Sequence, residues 1–272
     1  MEFETLTESE WDAVQRIWDL LDEDQVEDAR HALDGLLARR PGHPDLRIVD
    51  AALLLEEGEA AAALEALAGA ERSADPAVFF HLRGLARHDL LQFSEALADG
   101  QQALAVRPDM AEAHDLVSRV LEHLGRLDDS ANHAENAHAL DPERYPMPLE
   151  MTDEAFDAFV ERSIKELPAQ VLKELDEIPV IVEPLPAREM LAGDETPLAP
   201  DLLGLFVGRH LLERSHLEPP AAPGAIHLFR RNLLRMCHTQ EELAREIRIT
   251  VQHEVGHLLG LDEDELDQWG LA

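Results

Sequence analysis

Cysteine is almost missing from this chain of 272 residues: Cys237 is the single thiol, so no internal disulfide can staple the fold. A lone cysteine of this kind reads as a small buried apolar residue more readily than as a nucleophile or ligand. Aromatic residues make up only 4%, with one tyrosine, Tyr145, and the abundance of Ala and Leu beside Glu, Asp and Arg is that of packed helices rather than of a sandwich or barrel. Basic charge is also scarce. Lys and Arg number 23 against 57 Asp and Glu, a net charge of −34, and both halves are acidic. Phosphate backbones and anionic bilayers repel such a chain, which argues against nucleic-acid and membrane partners unless a local basic patch exists. Arg230, Arg231 and Arg235 come nearest to one; they read as solvated or ion-paired, with a clamp for a substrate carboxylate as the sharper alternative. No apolar run approaches the roughly 18 residues of a membrane span, and the opening MEFETLTESEW has neither a basic n-region nor an apolar stretch. The expected setting is soluble, reducing and cytoplasmic.

Proline recurs with a period. Pro41, Pro76, Pro108 and Pro142 are separated by 35, 32 and 34 residues, the spacing of a two-helix repeat. The surrounding segments ARRPGHPDL, RSADPAVFF, AVRPDMAEA and HALDPERYP each end one helix, and the first three begin another. Proline suits these places because it cannot continue a helix yet is tolerated in a first turn. Small residues stand where paired helices must approach: Gly84, Ala96 and Ala103 in one unit, Gly125, Ala134 and Ala137 in the next. The order Gly84, Phe93, Ala96, Ala103, Pro108 resembles the tetratricopeptide pattern. The following unit departs from it, with Leu127 at the aromatic position and Ser130 at the alanine, and the two earlier units are weaker still. Four repeats are expected. The resemblance implies an α-solenoid whose concave face recruits a peptide or protein partner, against the plainer possibility of a scaffold that only stabilises its neighbour. Histidines 81, 88, 114, 123, 133 and 138 share no ligand spacing and read as surface or interface residues.

At ERYPMPLEM three prolines in a short span, Pro142, Pro146 and Pro148, mark a boundary, giving a helical repeat domain over 1–144 and a second domain over 145–272. In the second, TDEAFDAFVERSIKELPAQVLKEL reads as helical and IPVIVEPLP as a strand. LLGLFVGRHL and AIHLFRRNLL open as short strands, the latter turning into a helix. HTQEELAREIRITVQHEVGHLLG reads as one long helix, with Thr239 as N-cap, Glu241 and Glu242 in the first turn and Gly260 as the stop. The expected class is mostly α: a repeat solenoid followed by an α+β domain with a small sheet.

The end of that long helix carries the chemistry. In HEVGHLLGLDEDEL, His253 and His257 lie one turn apart on one face, close enough for two imidazoles to share an ion, with Glu254 beside them. Neutral imidazoles suit Zn2+, which acidifies a bound water, and a nearby carboxylate could take the proton as that water attacks a carbonyl. HEVGHLLGLDE fits His-Glu-x-x-His-x-x-Gly-x-x-Glu, the metzincin spacing with a carboxylate in place of the third histidine. Only Leu261 to Ala272 follow the glycine here, so the third ligand is expected at once. Glu263 has the right offset, Asp262 and Asp264 are its competitors, and a merely solvated acidic helix end is the alternative.

Residues 149–272 resemble the small bacterial zincin-like metallopeptidase family, through AFDAFVERSIKELP, IPVIVE, LLGLFVG, AIHLFR, EEL and HEVGHLLGLDEDEL. The resemblance implies that His253 and His257 ligate the metal, that Glu254 is the general base, and that Glu263 stands where the family usually has Asp. No Met follows Gly260, so the methionine turn of larger metzincins is missing, and no Tyr follows the motif to steady an oxyanion. His227 is a possible stand-in, more readily read as structural. The reading is a cytoplasmic zinc peptidase acting on a peptide or protein substrate recruited by the repeats. The alternative is an interaction scaffold whose zincin-like part binds metal or peptide without turnover.

Overall fold

The computed structural model describes residues 4–70, 75–175, 178–193, 197–208 and 224–259. Contacts divide the chain into two compact units, one Met1–Tyr145 and the other formed by Pro146–Gly193 with Leu198–Ala272. Helix dominates, and the described strands form one three-stranded sheet. Among the described residues no helix is long and apolar enough to cross a membrane.

The first unit is four helix pairs: α1 (Glu8–Asp22) with α2 (Val26–Arg39), α3 (Pro44–Glu56) with α4 (Ala60–Leu67), α5 (Pro76–Asp89) with α6 (Phe93–Val106), and α7 (Ala111–His123) with α8 (Leu127–Leu140). Pro44 and Pro76 occupy first helical turns, where a missing N–H costs nothing. Each pair turns through one residue of positive φ: Asp24 (58°), Gly58 (76°), Leu91 (58°) and Gly125 (72°), spaced by 34, 33 and 34 residues. The repeat is therefore clearer in the backbone than in the letters, because two of these left-handed positions carry a side chain.

The small residues explain the pairing. A Cβ on Gly84 would stand 2.7 Å from Leu116 Cδ2, and one on Gly100 would stand 2.5 Å from Val117 Cγ2, so α7 lies against glycines of the preceding pair. Ala96 and Ala103 are fully buried. In the last pair Ser130 takes the place of an alanine, and it stays buried because its hydroxyl meets that of Ser118 at 3.0 Å. Leu127, at the aromatic position, is 46% exposed, whereas Phe93 in the preceding pair stacks on His123 with centroids 4.3 Å apart. Two of the repeat histidines correct the surface reading: His81 and His88 are buried, because both fall on the inward stripe of α5 with Ala77, Leu82 and Gly84. Asp99 on α6 is buried too. It accepts from Arg83 Nε and Nη2 at 2.9 and 2.6 Å and from Arg87 Nη1 at 2.6 Å, so its charge is met from α5.

The second unit begins with α9 (Asp153–Lys165), capped by Thr152, and α10 (Ala169–Leu175). The segment read as one helical stretch is thus two, interrupted at Pro168, whose ring cannot sit in a helix interior. Then follow β1 (Val180–Glu183), α11 (Arg188–Leu191), β2 (Gly204–Val207), β3 (Ala225–Phe229), α12 (Arg230–Met236) and α13 (Gln240–Leu259). Strand order is β1-β3-β2, with β1 parallel and β2 antiparallel to β3. The sheet's inner face, Ile226 and Leu228, packs with Phe156 and Val160 of α9 and with Ile247, Val251 and Val255 of α13. Cys237 belongs to that core, and burial pushes its thiol up to about 11, which keeps it protonated and inert.

Candidate metal and catalytic site

The site is built on α13, and its capping was legible in the sequence. Thr239 Oγ1 accepts from the Glu242 N–H at 3.1 Å, while Glu242 Oε2 accepts from the N–H groups of His238 and Thr239 at 2.8 and 3.2 Å. Those backbone bonds, that from His238 foremost, hold the Glu242 carboxyl below its ordinary range. From this start the buried stripe runs Leu243, Ile247, Thr250, Val251, Glu254, Val255, Leu258. A glutamate thus occupies a core position, where an unpartnered carboxylate would be costly.

Its partner is the sheet edge. Glu254 is 6% exposed, and its Oε2 accepts from the Phe206 N–H at 2.6 Å. Strand alternation explains why that N–H is available. The Phe229 N–H donates to Leu203 O at 2.9 Å, so Leu203, Leu205 and Val207 turn their backbone groups toward β3, whereas Gly204 and Phe206 turn theirs off the edge. The approach of β2 to α13 requires Gly204: a Cβ there would meet Thr250 Cγ2 at 2.5 Å and His227 O at 3.0 Å. Asn232, buried on α12, fixes the segment leading into β2 by donating to Pro200 O and Leu202 O at 3.0 and 2.8 Å.

His253 and His257 converge. Their Nε2 atoms are 2.9 Å apart and their rings are nearly perpendicular, with centroids at 4.5 Å. A tetrahedral zinc with Zn–N bonds of 2.0–2.1 Å separates two donors by about 3.3 Å, so this pair fits such an ion after opening by a few tenths of an ångström. Glu263, Asp262, Asp264 and the expected stop at Gly260 lie outside the described residues, and among the described residues no group of three His, Cys, Asp or Glu could hold a metal.

The stretch from the sheet through α13 can now be compared with known proteins. Residues 175–271 match the zincin-like metallopeptidase family. The match takes in β1, β2, β3 and α13, so the zincin-like part of the chain contains His253, Glu254 and His257. No curated protein sequence matches the chain. Among solved structures, a crystal structure of MamA is similar at a TM-score of 0.38 and 18% identity, over 46% of this chain and 73% of that one. A MamA double mutant scores 0.39 at 20% identity, over 50% and 76%.

Other residues singled out in the sequence lie apart from the zincin-like centre. His227 pairs in the sheet with Ile181 and Leu205, on the face opposite to Ile226 and Leu228 and hence away from α13, and its Nδ1 is 3.0 Å from Glu183 Oε2. An oxyanion role for it has no geometric support. Arg230 pairs with Asp153 at 3.0 Å, and Arg235 Nη1 donates to Asn232 Oδ1 at 3.3 Å, so these arginines brace the fold. Phe206, Gly204 and Asn232 were missed. Gly204 did carry a signal, an isolated glycine in the apolar run LLGLFV, which often marks a close backbone approach; Asn232 carried none.

Proposed function

We propose that this chain is a zinc-dependent peptidase in which His253 and His257 hold the metal and Glu254 is the general base. The observation that carries the reading is the convergence of two imidazole nitrogens on the same helix turns as a buried carboxylate that a strand edge anchors. A zinc ion at such a site supplies Lewis acidity and lowers the pKa of water toward neutrality. The chain's own groups do the rest. The Phe206 N–H fixes the Glu254 carboxylate, which restricts the base to one orientation and keeps it from turning away, and the apolar stripe around it excludes bulk water. Glu254 takes the proton of the attacking water and returns it to the leaving amine. Glu263 is the proposed third ligand, on its offset from Gly260, with Asp262 as its nearest competitor. A boundary near residues 144–145 and a role for the repeats in bringing a peptide or protein to the site complete the reading, in a cytoplasmic setting.

Elemental analysis after metal reconstitution tests it: about one zinc per chain is expected, lost in His253→Ala and His257→Ala. Glu254→Gln should keep the metal and lose hydrolysis of a peptide library. Zinc retained undiminished by both histidine variants would sink the assignment. Zinc bound without any turnover by the unsubstituted chain would favour the scaffold alternative. For the third ligand, Glu263→Ala should weaken zinc binding more than Asp262→Ala or Asp264→Ala. A fragment beginning at Leu149 should bind zinc and cleave short peptides while losing its preference for a larger protein substrate.

A further inference from the structure

The first unit contains a cavity of about 390 Å3 whose walls come from the first helix of all four pairs, among them Trp18 of α1, Glu56 of α3, His81 and Leu82 of α5 and Glu112 of α7. That size admits a large side chain. Just over half of the wall is apolar, and its polar residues are Asp22, Glu56, His81, Arg107, Glu112 and Arg144. His81 is buried, and its Nδ1 has no hydrogen-bond partner among the described residues, an orphan that a well-packed interior does not normally retain. Glu56 and Glu112 also have no hydrogen bond or ion pair there, whereas the two cations of the wall are engaged, Arg107 with Asp75 at 2.5 Å and Arg144 with Asp22 at 3.6 Å. The Glu56 carboxyl is pushed up by burial first and then by the charge of Asp24, with Arg144 of the same wall pulling the other way and Asp89 adding to the rise. Burial takes His81 down to about 4, so at neutral pH it is uncharged and offsets neither carboxylate.

We propose that this cavity docks a basic segment of a partner protein: a tyrosine enters against Trp18 and Leu82, its hydroxyl meets His81 Nδ1, which is shielded here, once that ring turns toward the cavity, and an adjacent Lys or Arg meets Glu56 and Glu112. The inference rests on the recruitment reading above and names its ligand class. A phenol serves whichever tautomer His81 adopts, since a hydroxyl both donates and accepts. Its ring supplies the apolar body that the wall calls for, and Tyr combines the two at low entropic cost. Charge complementarity selects the flanking residue. A chain of net charge −34 also draws a cationic segment to itself before contact, and added salt weakens that attraction.

The test is fluorescence anisotropy with the full chain carrying Glu254→Gln, so that no probe is cleaved whether or not the peptidase reading holds. The probe is a labelled synthetic peptide with a central Tyr flanked by Lys. Its two controls replace Tyr by Phe, or Lys by Glu. The Lys-flanked peptide is expected to bind, about fivefold more weakly to the Glu56→Gln, Glu112→Gln double variant, with that difference shrinking in high salt. Replacing Tyr by Phe should cost about fivefold, and nothing further when the protein carries His81→Phe. Both glutamates lie at the cavity wall, so the double variant decides the charge class even if His81→Phe fails to fold. Equal binding of Lys- and Glu-flanked peptides, or unchanged affinity in the double variant, overturns the proposal. If the Glu-flanked peptide alone binds and Leu85→Trp, which fills the cavity, abolishes it, recruitment survives while this ligand class fails. If no peptide of either charge binds in a way that Leu85→Trp removes, both fail.

Discussion

In the repeat unit a positive-φ turn recurs at every helix pair, so the same structural task is performed several times by different residues. In the second unit one helix, α13, carries the core stripe, the contact with β2 and, among the described residues, the candidate groups His253, Glu254 and His257. The repeats can therefore absorb departures from their pattern, as Leu91 at a left-handed turn and the Ser118–Ser130 pair show. The zincin-like unit has no such redundancy. In its helix, neighbouring residues of a single element carry packing, strand position and chemistry.

The largest test of that contrast is at the site. Glu254→Gln should lower peptide hydrolysis by about 10²–10⁴-fold with little change in thermal stability, because the amide can still accept from the Phe206 N–H while it cannot take a proton. Retained activity would show that the base is elsewhere. A smaller effect, on stability, is expected within the repeats at Asp99. Asp99→Ala leaves Arg83 and Arg87, both partly exposed, without their shared carboxylate and should cost about 2–3 kcal/mol in denaturant unfolding. An unchanged midpoint would mean that water satisfies both guanidiniums. Gly204→Val tests the strand approach, since its side chain would collide with Thr250 Cγ2. A loss of about 1–3 kcal/mol is expected, with activity falling further than stability if β2 is pushed off Glu254. The smallest effect should be at a repeat turn: Asp24→Gly relieves a left-handed residue that is exposed and should stabilise by about 0.5 kcal/mol. Destabilisation there would show that the Asp24 side chain contributes more than its backbone costs.

The capping of α13 by Thr239 and Glu242 and the spacing of His253 and His257 are local properties, and the sequence states them because a helix fixes its own neighbours at four residues. The strands were likewise legible, β1 as a β-branched run and β2 and β3 as short apolar runs. The break at Pro168 was readable but passed over, since the apolar periodicity on both sides of it suggested continuity. The burial of His81 and His88 was not readable, because a polar residue on a helix shows which face it takes only once the neighbouring helices are in place.

What the sequence determined by itself is the local chemistry: the period of the repeats, the zinc-type donor spacing, the acidity that disfavours polyanionic partners. Only the tertiary structure decided which long-range groups meet these residues. It brought the Phe206 N–H, 48 positions away, onto Glu254 by way of the edge position of β2, and it turned His227 to the far face of the same sheet. It gathered Glu56, His81 and Glu112 around one cavity. The physical reason is that helix and strand periods order side chains over a few residues, whereas strand register and helix packing, which set every longer distance, depend on how whole apolar faces fit together.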